Sequence, residues 1–334
     1  MDSITAPNSS QSTAGFAALR EGLLGLLQSA QNADGGWAFH TGGQSRVEPT
    51  CWAVRALADG KSGSAEPGIA RAIDFLKSKQ LDDGSWPAND GMQAGGWITS
   101  LTCSVLAGCG EVPTPEIQKA IEAGLQWLCD DYPRDSSGWQ KFLKKLQSKK
   151  NLVEQSDEFR GWGWTPRTSS WVEPTSFALM AFADTKPGAQ LAKAVAERRT
   201  MAVGLLYDRM CPRGGWNCGN PRVYGVDGDP LVLPTCWALL ALRDAPENSQ
   251  RALALKWLRE EFGNIQSAGS LAMARITLES YGVALPESRR SQVDWPASDL
   301  LEQGTHVAAW TALALNPTRS WPEVSRAAET QAAS

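Results

Sequence analysis

Four times along this chain a glycine–tryptophan turn precedes an apolar segment built around a threonine. The turns are "NADGGW", "LDDGSW", "RGWGW" and "PRGGW", ending at Trp37, Trp86, Trp164 and Trp216. The segments are "EPTCWAVRAL", "SLTCSVLAGC", "EPTSFALMAF" and "LPTCWALLAL", with threonines Thr50, Thr102, Thr175 and Thr235. A weaker copy is "GTHVAAWTALAL", from Gly304, and "SAGSLAMARITLESYG", from Ser267, offers another. Self-similarity at this period is the mark of an array of small units that bury their apolar faces on one another.

Each unit reads as a helical hairpin. In "GIARAIDFLKSKQ", Ile69, Ile73, Phe75 and Leu76 share a broad face, with Arg71, Asp74 and Lys77 elsewhere. That is an amphipathic outer helix. "PTCWALLAL" is apolar all round and belongs inside. The alternation predicts two concentric layers: an all-α fold, a single α/α toroid of five to six hairpins. An open solenoid would need polar caps at its ends, and none is evident. Asp or Asn before Gly suits the tight turns. Wedging of the turn tryptophans between hairpins accounts for much of the excess of fifteen tryptophans over four tyrosines.

The boundaries expected are a polar tail over 1–15, the toroid over 16–318 with an insertion at about 130–160, and a tail over 319–334. No secretion signal or membrane-spanning run is evident, so the expected setting is cytoplasmic, soluble or peripheral at a membrane. Seven scattered cysteines without Cys-x-x-Cys fit reduced thiols. A net charge of −4 predicts no nucleic-acid partner.

The segments from Gln31 to Trp37 and from Gln80 to Trp86 resemble the QW motifs of squalene–hopene and oxidosqualene cyclases. The "PTCWALLAL" segments resemble their inner-barrel helices. Protein prenyltransferase β subunits and class II diterpene cyclases share that toroid, and "GGWNCGN" is similar to small prenyltransferase/squalene-oxidase repeat proteins. The resemblance runs from about Gly22 to Leu315. It implies the fold and an apolar isoprenoid partner, with no cofactor, or Mg²⁺ only for a diphosphate substrate.

The resemblance also implies where to look for chemistry. Class II cyclases protonate their substrate with an Asp-x-Asp-Asp motif at an inner-helix start, where this chain has "RVEP", "WVEP" and "LVLP". The motif is missing, but Glu48 and Glu173 keep an acidic position. Pro49 and Pro174 at the first helical position would make each Glu an N-cap, a place that favours Ser, Thr, Asp and Asn. Attraction to the helix dipole is one reading. A carboxylate lining the cavity is the other, its ionised form steadying a cation unless burial raises its pKa. Asp227 and Asp229, in "VDGDPL", are turn residues, a catalytic acid, or ligands for a diphosphate-bound Mg²⁺. Glu48, Glu173, Asp227 and Asp229 are thus the candidate catalytic residues. Trp97, Trp171, Tyr224 and His306 are the candidate cavity wall, where aromatic faces steady cations.

Other chemistries of the toroid fit less well. The zinc of protein prenyltransferases needs Asp, Cys and His at inner-helix starts. His306 and Asp229 are near two of those places, but Leu231 stands where the cysteine belongs, so no metal is expected. In "GCGEVP", Cys109, Gly110 and Glu111 are followed by Val112, not the glutamine of a thioester. For a diphosphate, the basic candidates are Arg46, Arg167 and Arg222. In the insertion, Trp139, Phe142, Leu143 and Leu146 at helical spacing among lysines predict either a helix across one rim or a membrane-surface contact through 139–150. The reading that results is a non-standard class II-like terpene cyclase. The alternatives are a non-catalytic toroid binding lipid or peptide, and a prenyltransferase acting on an isoprenyl diphosphate.

Overall fold

The computed structural model describes residues 9–59, 67–108, 113–133, 156, 158–286 and 295–322. The lysine-rich stretch 139–150 and Cys109–Val112 lie outside these residues, as do most of both expected tails. Among the described residues there are twelve helices. Six form an inner ring: α2 (Val47–Ala58), α4 (Ile98–Gly108), α6 (Val172–Asp184), α8 (Val232–Ala241), α10 (Ala268–Ser280) and α12 (Thr305–Ala314). Each touches the next, and α12 touches α2, so the ring closes. The outer layer is α1 (Ser9–Ser29), α3 (Pro67–Ser78), α5 (Pro115–Asp130), α7 (Ala189–Asp208), α9 (Ser249–Glu261) and α11 (Ala297–Glu302). The fold is the α/α toroid, with six helices in each layer.

Burial follows the two patterns read from the sequence. Along α3 the buried residues are Ile69, Ala72, Phe75 and Leu76, one face of a helix. Along α8 every residue from Pro234 to Ala241 is buried. An inner helix has neighbours on both sides, an outer helix behind and the axis in front.

The repeated turn is a joint with a fixed wiring. The tryptophan N–H donates to the Oγ1 of an inner-helix threonine: Trp37 to Thr50 at 2.8 Å, Trp86 to Thr99 at 2.9 Å, Trp162 to Thr175 at 3.1 Å and Trp216 to Thr235 at 2.9 Å. The indole Nε1–H of each hooks back to the preceding outer helix, on Leu27, Leu76, Leu128 and Leu206 carbonyls. Gln31 and Gln80 donate both to the turn carbonyl of Gly35 or Gly84 and to the next outer helix, at Gly68 or Ala120. Gly35 and Gly84 are obligatory, with φ of 87° and 89°. A Cβ there would stand 2.5 and 2.7 Å from the carbonyl oxygens of Arg71 and Ala123.

This wiring corrects two expectations. The joint tryptophan of the third repeat is Trp162, 2% exposed, and not Trp164, which is 37% exposed. The joint threonine of the second is Thr99, one turn before Thr102, whose hydroxyl donates to the Ile98 carbonyl of its own helix.

Helix starts are corrected as well. Arg46 and Trp171 are held extended by antiparallel bridges to Trp37 and Trp162, their N–H groups donating to those carbonyls at 2.8 and 2.9 Å. They are therefore the N-caps, and Glu48 and Glu173 are the second helical residues rather than caps. Two tail boundaries move too. α1 begins at Ser9, within the stretch expected to be a tail. At the other end, Ser320 donates to Asp59 and Trp321 is buried, so ordered contacts run past 318. Among the described residues no helix is long and apolar enough to cross a membrane.

Candidate active site at the mouth of the toroid

All six inner helices run the same way, so their N-termini frame one mouth. Counting back two residues from each joint threonine gives Glu48, Trp97, Glu173 and Leu233. One turn further in stand Trp52, Leu101, Phe177 and Trp237, on the same faces by the four-residue spacing of a helix. On α12 the corresponding pair is His306 and Trp310.

The second tier fills the axis. Trp52 stacks with Trp237, ring centroids 5.6 Å apart, and meets Phe177 at 6.4 Å and Trp310 at 5.5 Å edge to face. Trp237 closes on Phe177 at 4.9 Å and on Trp310 at 5.6 Å. These four rings come from two pairs of neighbouring helices, α6 with α8 and α12 with α2, and form the floor of the mouth. Trp97 reaches over this floor, 4.9 Å from Phe177, and Trp164 packs against it at 5.5 Å. His306 lies 5.0 Å from Trp310 and 6.1 Å from Phe39.

The two glutamates are half-buried above these rings. Burial pushes the Glu48 carboxyl up to about 7. Burial also raises Glu173. Neither has a cation close enough to offset desolvation, so the neutral acid is favoured despite the helix N-terminus. Glu48 is thus the case in which burial raises the carboxyl, as the sequence reading allowed. Burial, with repulsion from His40, lowers the His306 imidazole below its ordinary range, so it is neutral at pH 7. The mouth therefore brings aromatic rings together with two carboxyls raised by burial and one neutral imidazole.

Asp227 and Asp229 stand elsewhere. A short hairpin pairs β1 (Arg222–Val223) with β2 (Val226–Asp227) across Tyr224 and Gly225, at φ of 53° and 76°. Two positive φ values are what a tight hairpin turn needs. Asp227 pairs with Arg222 at 2.5 Å and Asp229 with Arg213 at 2.8 Å, all on exposed loop. Tyr224 sits at the tip, 73% exposed. Trp171 is a half-exposed N-cap beside Gly219, at the rim rather than in the wall. The Cys218 carbonyl accepts from Val172 N–H at 3.1 Å, which ties this loop to the start of α6 beside Glu173. Among the described residues no three His, Cys, Asp or Glu side chains gather as metal ligands would.

The opposite end of the barrel is shut by charge. Asp184 accepts from Arg243 and from Ser104, which in turn accepts from Arg55 at 2.7 Å. Arg55 also lies over the Trp321 ring at 4.8 Å. Beyond this plug is a cavity of about 1030 Å³ between α1 and the C-terminal ends of α10 and α12. Its arginines are committed: Arg275 and Arg319 both bond Glu279, at 3.0 and 2.8 Å, and Arg20 donates to the Asp59 carbonyl. The polar groups of this cavity serve helix ends, whereas the mouth holds the perturbed acids.

Trp52, Phe177, Trp237 and Trp310 are absent from the expectations drawn from sequence. The signal was present: each lies four residues after Glu48, Glu173, Leu233 or His306.

No known family profile matches the chain. Drimenyl diphosphate synthase of Streptantibioticus cattleyicolor is 42% identical over 60 residues, which cover 18% of this chain and only 11% of that enzyme. Among solved structures, a variant of the type II terpene cyclase MstE from Scytonema, in complex with the product merosterolic acid A, aligns at TM-score 0.53 over 93% of this chain and 83% of its own, with 14% identity. The complex of an MstE variant with its substrate, geranylgeranyl dihydroxybenzoate, gives 0.53 over 93% and 82%, again at 14% identity. A protein from Actinoplanes aligns at 0.50 over 89% of this chain and 80% of its own, at 16% identity. The chain thus shares its architecture with type II terpene cyclases, and its fold is terpene-cyclase-like.

Proposed function

We propose that the mouth binds an apolar isoprenoid and that Glu48 acts there as the acid of a terpene-cyclase-like reaction. The observation that carries this is a carboxyl titrating near 7, one turn above a floor of aromatic rings. An acid that keeps its proton near neutrality is available to give it up to substrate. The proton passes from the Glu48 carboxyl to the substrate, which becomes cationic, and Glu48 is left as a carboxylate. The faces of Trp52, Trp97, Phe177 and Trp237 steady the positive charge. Glu173, on the opposite side of Trp97, is a second acid facing the same space. His306, neutral, accepts the proton lost when the cation collapses to an alkene. Asp227 and Asp229, tied to arginines on the hairpin, take no part.

The filled axis favours a second reading. With Trp52 only 1% exposed, the floor is shallow, and a non-catalytic toroid that holds one end of a lipid would need no deeper chamber. A diphosphate substrate is less well supported, since Arg46 faces Asp90 at 3.4 Å and Arg222 faces Asp227.

The test is a screen of C10 to C20 isoprenoid alcohols, epoxides and diphosphates, with products read by gas chromatography–mass spectrometry. Cyclised product is expected, with a rate that falls as pH rises through about 7, and with Glu48→Gln at least about tenfold slower, roughly 1.4 kcal/mol. Product formed at an unchanged rate by Glu48→Gln would remove Glu48 from the mechanism. Tight binding with no product from any substrate selects the non-catalytic reading.

A further inference from the structure

The tryptophans of this protein differ in what their indole N–H meets: Trp127 donates to Asp83 at 3.1 Å, and Trp321 Nε1, at the end opposite the mouth, is buried without a partner. At the four joints each Nε1–H meets a backbone carbonyl, at 2.5 to 2.9 Å. Along the axis the pattern breaks. Trp52 Nε1 and Trp310 Nε1 are buried with no acceptor within reach, and so is His306 Nδ1. Trp52 is 1% exposed and Trp310 8%. The three rings are contiguous, with centroids 5.5 Å apart from Trp52 to Trp310 and 5.0 Å from Trp310 to His306. They run from the floor up to the mouth.

A buried donor without an acceptor is costly, and native chains rarely keep one without a use for it. The edge-to-face contacts among these rings offer a π face as acceptor, a weak substitute for an oxygen. A purely hydrocarbon ligand would leave these donors unpaired and add their desolvation to the cost of binding. A ligand whose inserted end carries oxygen would satisfy them.

Resting on the isoprenoid reading of the mouth, we infer that the site is built for an oxygen-bearing isoprenoid, inserted oxygen first, with the hydroxyl, carbonyl or ether oxygen accepting from Trp52 Nε1–H and Trp310 Nε1–H. His306 stands at the upper end of the same file of nitrogens and faces the next atoms of the chain. The acid fits this class of ligand. A carboxyl that holds its proton to near neutrality transfers it more readily to an oxygen lone pair than to an unactivated alkene. Selectivity follows from the same donors, since a site with buried polar groups rejects the analogue that leaves them unpaired.

The experiment compares farnesol with farnesene, its hydrocarbon counterpart, on the full chain labelled with ¹⁵N at the indoles. Trp52→Phe and Trp310→Phe assign the two axial N–H resonances in heteronuclear spectra, and Trp37 serves as internal reference. Farnesol is expected to move the Trp52 and Trp310 signals downfield and leave Trp37 in place, while farnesene moves none of them in that direction. By calorimetry farnesol is expected to bind at least about tenfold more tightly than farnesene. Trp52→Phe, which keeps an aromatic side chain and loses the donor, should bring that ratio towards one. Should the variant fold poorly, the wild-type shifts decide alone. Equal affinity for both ligands with unmoved axial signals overturns this inference while leaving the isoprenoid site standing. Binding of neither ligand overturns both.

Discussion

Trp52 lies against Trp237 across the barrel, ring centroids 5.6 Å apart and planes inclined by 28°. The two come from α2 and α8, three places apart in a ring of six, so this one contact spans the axis. It closes the axis beneath the mouth. Replacing Trp237 by Ala should cost about 3–5 kcal/mol in chemical denaturation, the usual range for deleting a buried aromatic. It should also deepen the mouth, so that a C20 alcohol gains affinity relative to a C15 alcohol. A loss below about 1 kcal/mol would mean that the rings do not support one another.

The elevated Glu48 carboxyl makes stability depend on pH in a defined direction. Its pKa is about 7 in the folded chain against an ordinary value of 4.5. Below pH 4.5 it is protonated whether the chain is folded or not, and it contributes nothing. Between pH 4.5 and 7 the unfolded chain releases the proton first, so the native state loses relative stability. The loss is complete above 7. Glu48→Gln removes this penalty. It should match the wild type at pH 4 and exceed it at pH 8 by up to about 3 kcal/mol, in thermal or denaturant melts. A variant that melts earlier than wild type at pH 8 would show that the ionised carboxylate holds the helix start.

The wiring of the joints separates two threonines one helical turn apart. Thr99 accepts from the buried Trp86 N–H. Thr102 donates to the Ile98 carbonyl of its own helix and meets the Cys51 thiol at 3.6 Å, but accepts from no backbone N–H of the joint. Thr99→Val should strand a buried donor and cost about 1–3 kcal/mol. Thr102→Val should cost less than about 1 kcal/mol. Equal losses would mean that the joint hydrogen bond is not what distinguishes the two sites.

The toroid was legible in the chain because its period rests on residues that do one job each: a glycine for positive φ, a tryptophan for the wedge, a threonine for the joint. Register was harder to read. "RGWGW" holds two tryptophans and "ITSLTC" two threonines, and composition alone does not choose between them. Spacing does. The joint tryptophan precedes its threonine by 13 residues in the first three repeats. It precedes it by 19 in the fourth, where the hairpin is inserted. Trp164 and Thr102 break that count. Glu48 and Glu173 were found because a charge in an apolar helix start is conspicuous. The aromatic floor was missed because an inner helix is apolar on every side, so its hydrophobic pattern marks no face. Only the step of four from each glutamate to Trp52 and Phe177 singles out the axial side. Asp227 and Asp229 drew attention as a close pair of carboxylates just before an inner helix. Their partners Arg222 and Arg213 satisfy them locally, which charge counting along the chain does not reveal.

The hairpin carboxylates supply the contrast that tests the site as a whole. Asp227 and Asp229 are exposed and paired with arginines, a geometry typically worth no more than about 1 kcal/mol. Asp227→Asn and Asp229→Asn should therefore melt within about 1 kcal/mol of wild type. With whichever isoprenoid the screen identifies, they should bind and turn over within about twofold of wild type. Glu173→Gln, by contrast, alters an acid above Phe177 and should lower turnover or binding several-fold, with stability at pH 8 unchanged or improved, as for Glu48. A large loss of activity in Asp229→Asn, with Glu48→Gln and Glu173→Gln still active, would move the acid from the mouth to the hairpin. The chemistry would then lie at the rim, where Trp171 and Tyr224 stand, and the aromatic floor would be core packing alone.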